Sequence, residues 1–280
     1  MGEVRGGNPN VSRGSWFKKL RDMPNDSPLK SVVVALLVCI FCSVLVSGSA
    51  VLLRPMQIAN GEKEQRERLS EIISLLPDVV DHISTTSRLR LETHLVELTS
   101  GRYVPDIDAQ RFDQRQAVKD PEQSIDISPE HDLAQIGRRA KLSVVRLVYD
   151  GKKLELVIIP VRGRGFGSML YGYLGLSGDM QKVIGLSFYE HAETPGLGSV
   201  IDSQAWRDKW KGKMVWDETG KPGLGVSEGI VDPNSPKAAF LVDGLTGATW
   251  TSRGVNNLLR FWLGDFGFGP YLRKLRNQRG

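Results

Sequence analysis

From Ser31 to Leu53 the chain reads SVVVALLVCIFCSVLVSGSAVLL, without one charged residue, and Lys30 and Arg54 bracket the run. At roughly 1.5 Å per residue, a helix of this length crosses the roughly 30 Å hydrocarbon core of a bilayer. Inside lipid the backbone must satisfy its own hydrogen bonds, which leaves a helix as the single-pass solution. A secretory leader is the competing reading, because Gly48-Ser49-Ala50 resembles a small-residue cleavage site. The apolar run before it exceeds the usual roughly 7–15 residues, so a retained transmembrane helix over 31–53 is the reading adopted.

Before the run, residues 1–30 carry six basic residues, Arg5, Arg13, Lys18, Lys19, Arg21 and Lys30, in a Gly-, Asn-, Ser- and Pro-rich tail. After it come Arg54, Lys63, Arg66 and Arg68. The asymmetry places the N-terminus in the cytoplasm, with residues 1–30 a flexible tail. Net charge is +5, and no basic stripe interleaved with aromatics is visible, which argues against nucleic-acid binding. The two cysteines, Cys39 and Cys42, lie inside the span on one helix face. A metal or cluster usually needs about four such ligands, so the pair reads as apolar filler and no metal site is expected.

Beyond the span, Leu69, Ile72, Ile73 and Leu76 follow helical spacing within an amphipathic segment, Glu62 to Leu76. Residues 100–137 are polar and read as loops with a short helix near Pro129–Ile136; residues 54–137 together read as a connecting region. Then the period changes. Leu142–Tyr149 and Leu154–Val161 flank Asp150-Gly151, a hairpin signature, and Leu170–Leu176 with Val183–Tyr189 repeat the arrangement around Gly178. Ser203 precedes a short helix, Gln204–Lys211, and strand-like pieces follow near Gly225–Gly229 and Ala238–Val242. Val255, Leu258, Leu259 and Trp262 are spaced for a helix that Gly264 stops. Strand runs with interspersed helices predict an α+β domain over 138–275, an antiparallel sheet with flanking helices.

Three stretches can carry chemistry. Asp243-Gly244-Leu245-Thr246-Gly247-Ala248-Thr249 reads as a strand end, a tight turn and a helix start. Free N–H groups and the helix dipole make such a start a place for a phosphate, and Gly247 and Ala248 leave room for a ligand near the backbone. Ordinary capping by a hydroxyl residue explains the same pattern. His191-Ala192-Glu193-Thr194-Pro195-Gly196-Leu197-Gly198 follows a strand and fixes an unusual loop, suited to a flat ring lying against backbone. With no partner in motif context, His191 reads as structural, and no catalytic residue is assigned. Gly163-Arg164-Gly165-Phe166-Gly167 lacks a following helix, so it reads as a tight exposed connection beside the site rather than a dinucleotide fingerprint.

Asp243-x-x-Thr-Gly-Ala-Thr249 resembles the flavinylation motif of the FMN-binding domain family, Asp-x-x-Ser/Thr-Gly-Ala-Ser/Thr. The resemblance implies FMN carried as a phosphoester on Thr249, attached by a flavin transferase that takes FMN from FAD; Thr246 is not the expected acceptor. It implies that Glu193, Thr194, Gly196, Leu197 and Gly198 pack beside the isoalloxazine, with Asp243, Gly247 and Ala248 completing the site. Asn25-Asp26-Ser27, Leu53-Arg54 and Trp262-Leu263-Gly264-Asp265-Phe266-Gly267-Phe268-Gly269-Pro270-Tyr271-Leu272 are similar to the family of C-type subunits of sodium-translocating NADH:quinone oxidoreductases. That likeness implies an electron-relay subunit in a bacterial inner-membrane complex of six subunits that couples NADH oxidation by ubiquinone to sodium export, its flavin domain periplasmic. The alternatives are the G-type counterpart in the related Rnf complex, a stand-alone membrane-anchored flavoprotein reductase, or a tethered interaction domain without cofactor.

Overall fold

The computed structural model describes Pro28, residues 31–48 and residues 89–278. The expected N-terminal tail, the last residues of the span and the amphipathic segment Glu62–Leu76 lie outside the described residues. The chain divides into two units, and each is described by itself.

In the first unit, α1 runs Ser31–Gly48, with a mean hydropathy of 2.7 and no charge. At 1.5 Å per residue it is about 27 Å long. Its side chains are apolar on every face and exposed, as a membrane span requires. Cys39 and Cys42 are exposed free thiols on it, and Ser43 Oγ donates to the Cys39 carbonyl at 2.7 Å.

The second unit begins its described part with β1 (Leu89–Glu97) and β2 (Arg102–Tyr103), followed by α2 (Gln114–Lys119), β3 (Ser124–Asp126) and β4 (Arg138–Ala140). Two long hairpins come next, β5 (Leu142–Asp150) with β6 (Lys153–Arg164) and β7 (Met169–Ser177) with β8 (Val183–Glu190). Then come α3 (Gln204–Asp208), β9 (Gly225–Val226), β10 (Leu241–Val242), α4 (Thr249–Leu263) and α5 (Gly269–Asn277). Six strands form an antiparallel sheet in the order β2-β1-β5-β6-β7-β8. The α+β reading and both hairpins are as expected. Gly151 sits at φ 58° in the first turn, a conformation glycine adopts without the Cβ penalty.

The pleat sends alternate residues to opposite faces. Val145, Leu147, Val157, Ile159, Val161, Leu170, Leu174 and Leu186 face the main core, where Val255, Leu258, Leu259, Phe261 and Trp262 of α4 meet them. Each large side chain so buried contributes about 1.5–3 kcal/mol. Gly264 ends α4, its N–H donating to the Arg260 and Phe261 carbonyls. Pro270 then starts α5 in its first turn, where a missing N–H is harmless.

Four local expectations change. β1 lies inside the stretch read as connecting, yet it pairs along its whole length with β5. No helix forms at 129–136; the Asp132 carboxylate instead accepts the N–H groups of Ile136 and Gly137, and Gln135 takes φ 52°, which holds a turn. The 204–211 helix stops at Asp208, although Ser203 caps it through the Trp206 N–H. Ala238 ends in a 3-10 turn, Pro236–Ala239, and the flanking strands shrink to a two-residue parallel pair.

Candidate functional site

Thr249 is the first residue of α4, and Ala248, in a non-helical conformation, is its N-cap. Ala248 has no polar side chain, so ordinary hydroxyl capping does not account for this helix start. Thr249 is exposed, and its hydroxyl makes no hydrogen bond among the described residues. The N–H groups of Thr249, Trp250 and Thr251 likewise have no backbone acceptor among them, as the first turn of any helix leaves them. The turn before them is fixed. Gly247 takes φ 74°, the Ala248 N–H donates to the Leu245 carbonyl at 3.1 Å, and the Leu245 N–H donates back to Ser252 Oγ at 2.8 Å.

Asp243 anchors the other end of that loop. One carboxylate oxygen accepts from Lys209 Nζ at 2.7 Å and the other from the Val231 N–H at 2.8 Å. The Lys209 bond, then the Val231 bond, holds the Asp243 carboxyl below the usual carboxylate range.

Glu193 joins the three stretches singled out in the sequence. It is 4% exposed. Its carboxylate accepts the Gly167 N–H at 3.0 Å, the Phe166 N–H at 3.2 Å and the hydroxyl of Thr251, two residues after Thr249. The Pro-Gly loop, the Gly163–Gly167 connection and the start of α4 are therefore pinned at one buried point. Gly198 is required there: a Cβ on it would stand 2.6 Å from Thr251 Oγ1. Thr194 shapes the loop through its carbonyl, which accepts the N–H groups of Leu197 and Ser199 at 3.1 Å, while Gly196 takes φ 75°. His191 sits at the rim, Nε2 against Asp202 at 2.8 Å and Nδ1 accepting the Glu193 N–H, hydrogen-bonded as the sequence suggests.

Between the two loops lies a cleft of about 370 Å³, lined by Gly196, Leu197 and Val200 on one side and Asp243 to Thr246 on the other, with Trp206 and Lys209 behind. The volume is within the range of small-molecule sites. Trp206 brings a buried indole N–H that has no partner among the described residues. Next to Thr249, Trp250 is 64% exposed, and Phe166, on the connection pinned to Glu193, is 60% exposed. A cleft of mixed polar and apolar lining, exposed aromatics and a helix start with free N–H groups fit a planar ring system bearing a phosphate. Among the described residues no group of three or more His, Cys, Asp or Glu is placed to hold a metal ion.

Sequence reasoning brought Asp243, Gly247, Ala248 and Thr249 together with the 193–198 loop, and these lie side by side. It gave no role to Thr251, Ser252 or Lys209, which hold the site in shape, and it placed the Gly163–Gly167 connection beside the site without the Glu193 bonds that hold it there. Thr251 and Ser252 follow Thr249 directly and carry a readable signal, hydroxyls in a first helical turn. Nothing local links Lys209 to Asp243.

The fold and the site define a class: residues 165–264 match the FMN-binding domain family. Over 253 residues the chain is 40% identical to NqrC, the C-type subunit of the Na(+)-translocating NADH-quinone reductase, of Pseudomonas aeruginosa, covering 90% of this chain and 97% of that one. The Yersinia pestis protein of the same description is 38% identical over 255 residues, covering 90% and 94%. The crystal structure of Shewanella oneidensis NqrC superposes with a TM-score of 0.61 at 34% identity, covering 67% of this chain and 84% of that one. The chain belongs to the NqrC family of Na(+)-translocating NADH-quinone reductase subunits.

Proposed function

We propose that the protein is the electron-relay subunit of a sodium-translocating NADH:quinone oxidoreductase, carrying FMN bonded through its phosphate to Thr249. The observation that carries this reading is the free, exposed Thr249 hydroxyl at a helix start whose N-cap is not a hydroxyl residue. Bound FMN supplies reversible electron transfer. The chain's own part is to hold it. Thr249 would provide the ester oxygen, and the N–H groups of the first helical turn would be available to its phosphate. Gly247, Ala248 and Asp243 set the turn, with Lys209 holding Asp243. Leu197 and Gly196 offer the ring an apolar edge, and Glu193, Thr194 and Gly198 keep that loop in place.

Attachment falls to a flavin transferase. The Thr249 Oγ–phosphorus ester forms as the pyrophosphate bond of FAD breaks, AMP leaves and the hydroxyl proton is released. The flavin domain includes β1, which pairs along its whole length with β5. The whole chain sits in the bacterial inner membrane by α1, N-terminus cytoplasmic and flavin domain periplasmic, beside the other members of a complex of six subunits. The experiment is coexpression with a flavin transferase, followed by denaturing electrophoresis. A fluorescent band at the size of this chain, absent in Thr249→Ala, is expected; a band that survives Thr249→Ala, or none in the unsubstituted chain, refutes the attachment.

A further inference from the structure

A second cleft of about 380 Å³ lies between residues 110–118 and strands β5–β8, with Trp262 of α4 at its edge. It shares no lining residue with the cleft beside Thr249. Its walls carry Arg115, Arg146 and Arg162 among the guanidiniums and Tyr171, Tyr173 and Tyr189 among the rings. The rings are ordered against one another and against the cations. Tyr173 and Tyr189 stack at 5.1 Å between centroids, Arg115 lies 4.2 Å over Tyr171, and Arg146 lies 5.7 Å over Tyr173.

Guanidiniums outnumber carboxylates in the lining of the cleft. Arg115 is answered by Glu190 at 2.6 Å. Asp113 is the one acid lining the cleft among the described residues, and its carboxylate is occupied in capping α2 through the Arg115 and Gln116 N–H groups. Arg162 faces Tyr171 across the β6–β7 pair and donates to the Arg138 carbonyl at 2.5 Å. No carboxylate stands within ion-pair distance of it among the described residues; burial pulls its pKa down, against the opposing pull of Tyr171 and the more distant Asp132. A largely buried guanidinium with no carboxylate in contact is unfavourable, and an anion entering the cleft would relieve it. The planar fork suits the two oxygens of a carboxylate or phosphate, and the adjoining ring faces suit a flat apolar group.

We propose that this cleft is a second ligand site, in which Arg162 receives a carboxylate or phosphate and the Tyr171–Tyr173 wall receives the flat part of the same molecule. The site is independent of the flavin reading, since it uses none of the residues around Thr249. The test uses the full-length flavinylated protein in detergent, titrated by calorimetry with benzoate, with inorganic phosphate and with uncharged benzamide. Saturable binding of benzoate or phosphate at about 1 mM or tighter is expected, with benzamide silent. Whether benzoate, phosphate or both bind tells the two anion chemistries apart.

Arg162→Met keeps the apolar stem and is expected to weaken binding roughly tenfold or more, with flavin content and melting temperature unchanged. Should Arg162→Met not fold, Tyr173→Leu serves instead, and is expected to weaken benzoate while sparing phosphate. No saturable binding of either anion overturns the proposal. So does binding that survives Arg162→Met or, where that variant does not fold, benzoate binding that survives Tyr173→Leu.

Discussion

The two ends of α4 are held by different forces. At the C-terminal end Phe261, Trp262 and Leu263 are buried, and Trp262 packs 5.5 Å from Phe268 between ring centroids. At the N-terminal end Thr249 and Trp250 are exposed, and polar bonds fix position: Thr251 to Glu193, and Ser252 to the Leu245 N–H. Apolar packing is strong and non-directional, so it anchors the helix. Hydrogen bonds add little net energy but require distance and angle, so they aim its first turn. Stability sits at one end of the helix and placement of the attachment residue at the other.

The sharpest way to break that contrast is to weaken each end separately. Trp262→Ala is expected to destabilise the domain by about 3–5 kcal/mol, read from denaturant unfolding, with the remaining folded fraction still flavinylated. Glu193→Ala leaves the Phe166 and Gly167 N–H groups and the Thr251 hydroxyl without their acceptor. It is expected to cost about 1–3 kcal/mol and to cut the flavin-to-protein ratio more than Trp262→Ala does. If Trp262→Ala lowers flavin loading of the folded protein more than Glu193→Ala, the division of labour is refuted.

Smaller changes sharpen the same contrast. Ser252→Ala removes the acceptor of the Leu245 N–H and is expected to cost about 1 kcal/mol, with slower flavin attachment by the transferase. The smallest effect is a pH dependence. The folded Asp243 carboxyl lies below its ordinary value of about 3.9, so its contribution is complete above that pH and fades as pH falls through the lower folded value. Lys209 and Asp243 are both partly exposed, so the pair contributes about 0–1 kcal/mol. Lys209→Met lacks this component, so its small stability deficit against the unsubstituted chain is expected to shrink as pH falls below about 4; a deficit that persists unchanged through that range would contradict it.

Much of this was legible in the residues. The Asp150-Gly151 turn, the four long strands around it and Gly178, and the α4 stripe ending at Gly264 follow from period and turn chemistry. β1 was hidden because its burial does not alternate cleanly: Leu95 and Val96 are both buried although they are consecutive. α5 was read only as a motif run, since glycines at 264, 267 and 269 interrupt any period before Pro270. For the site, the motif placed Thr249 at a helix start, but spacing alone favoured ordinary capping over phosphate binding. In the structure Ala248 occupies the cap, so a hydroxyl cap is not what this helix start uses. The Glu193–Thr251 bond joins residues 58 apart in sequence, and no local rule reaches that far.

The most direct measurement is the intact mass of the purified chain after coexpression with a flavin transferase, followed by peptide mapping. The expected result is one adduct of FMN less one water, confined to the peptide containing Thr249 and missing in Thr249→Ala. An unmodified mass, or an adduct on Thr246, Thr251 or Ser252, would contradict the assignment.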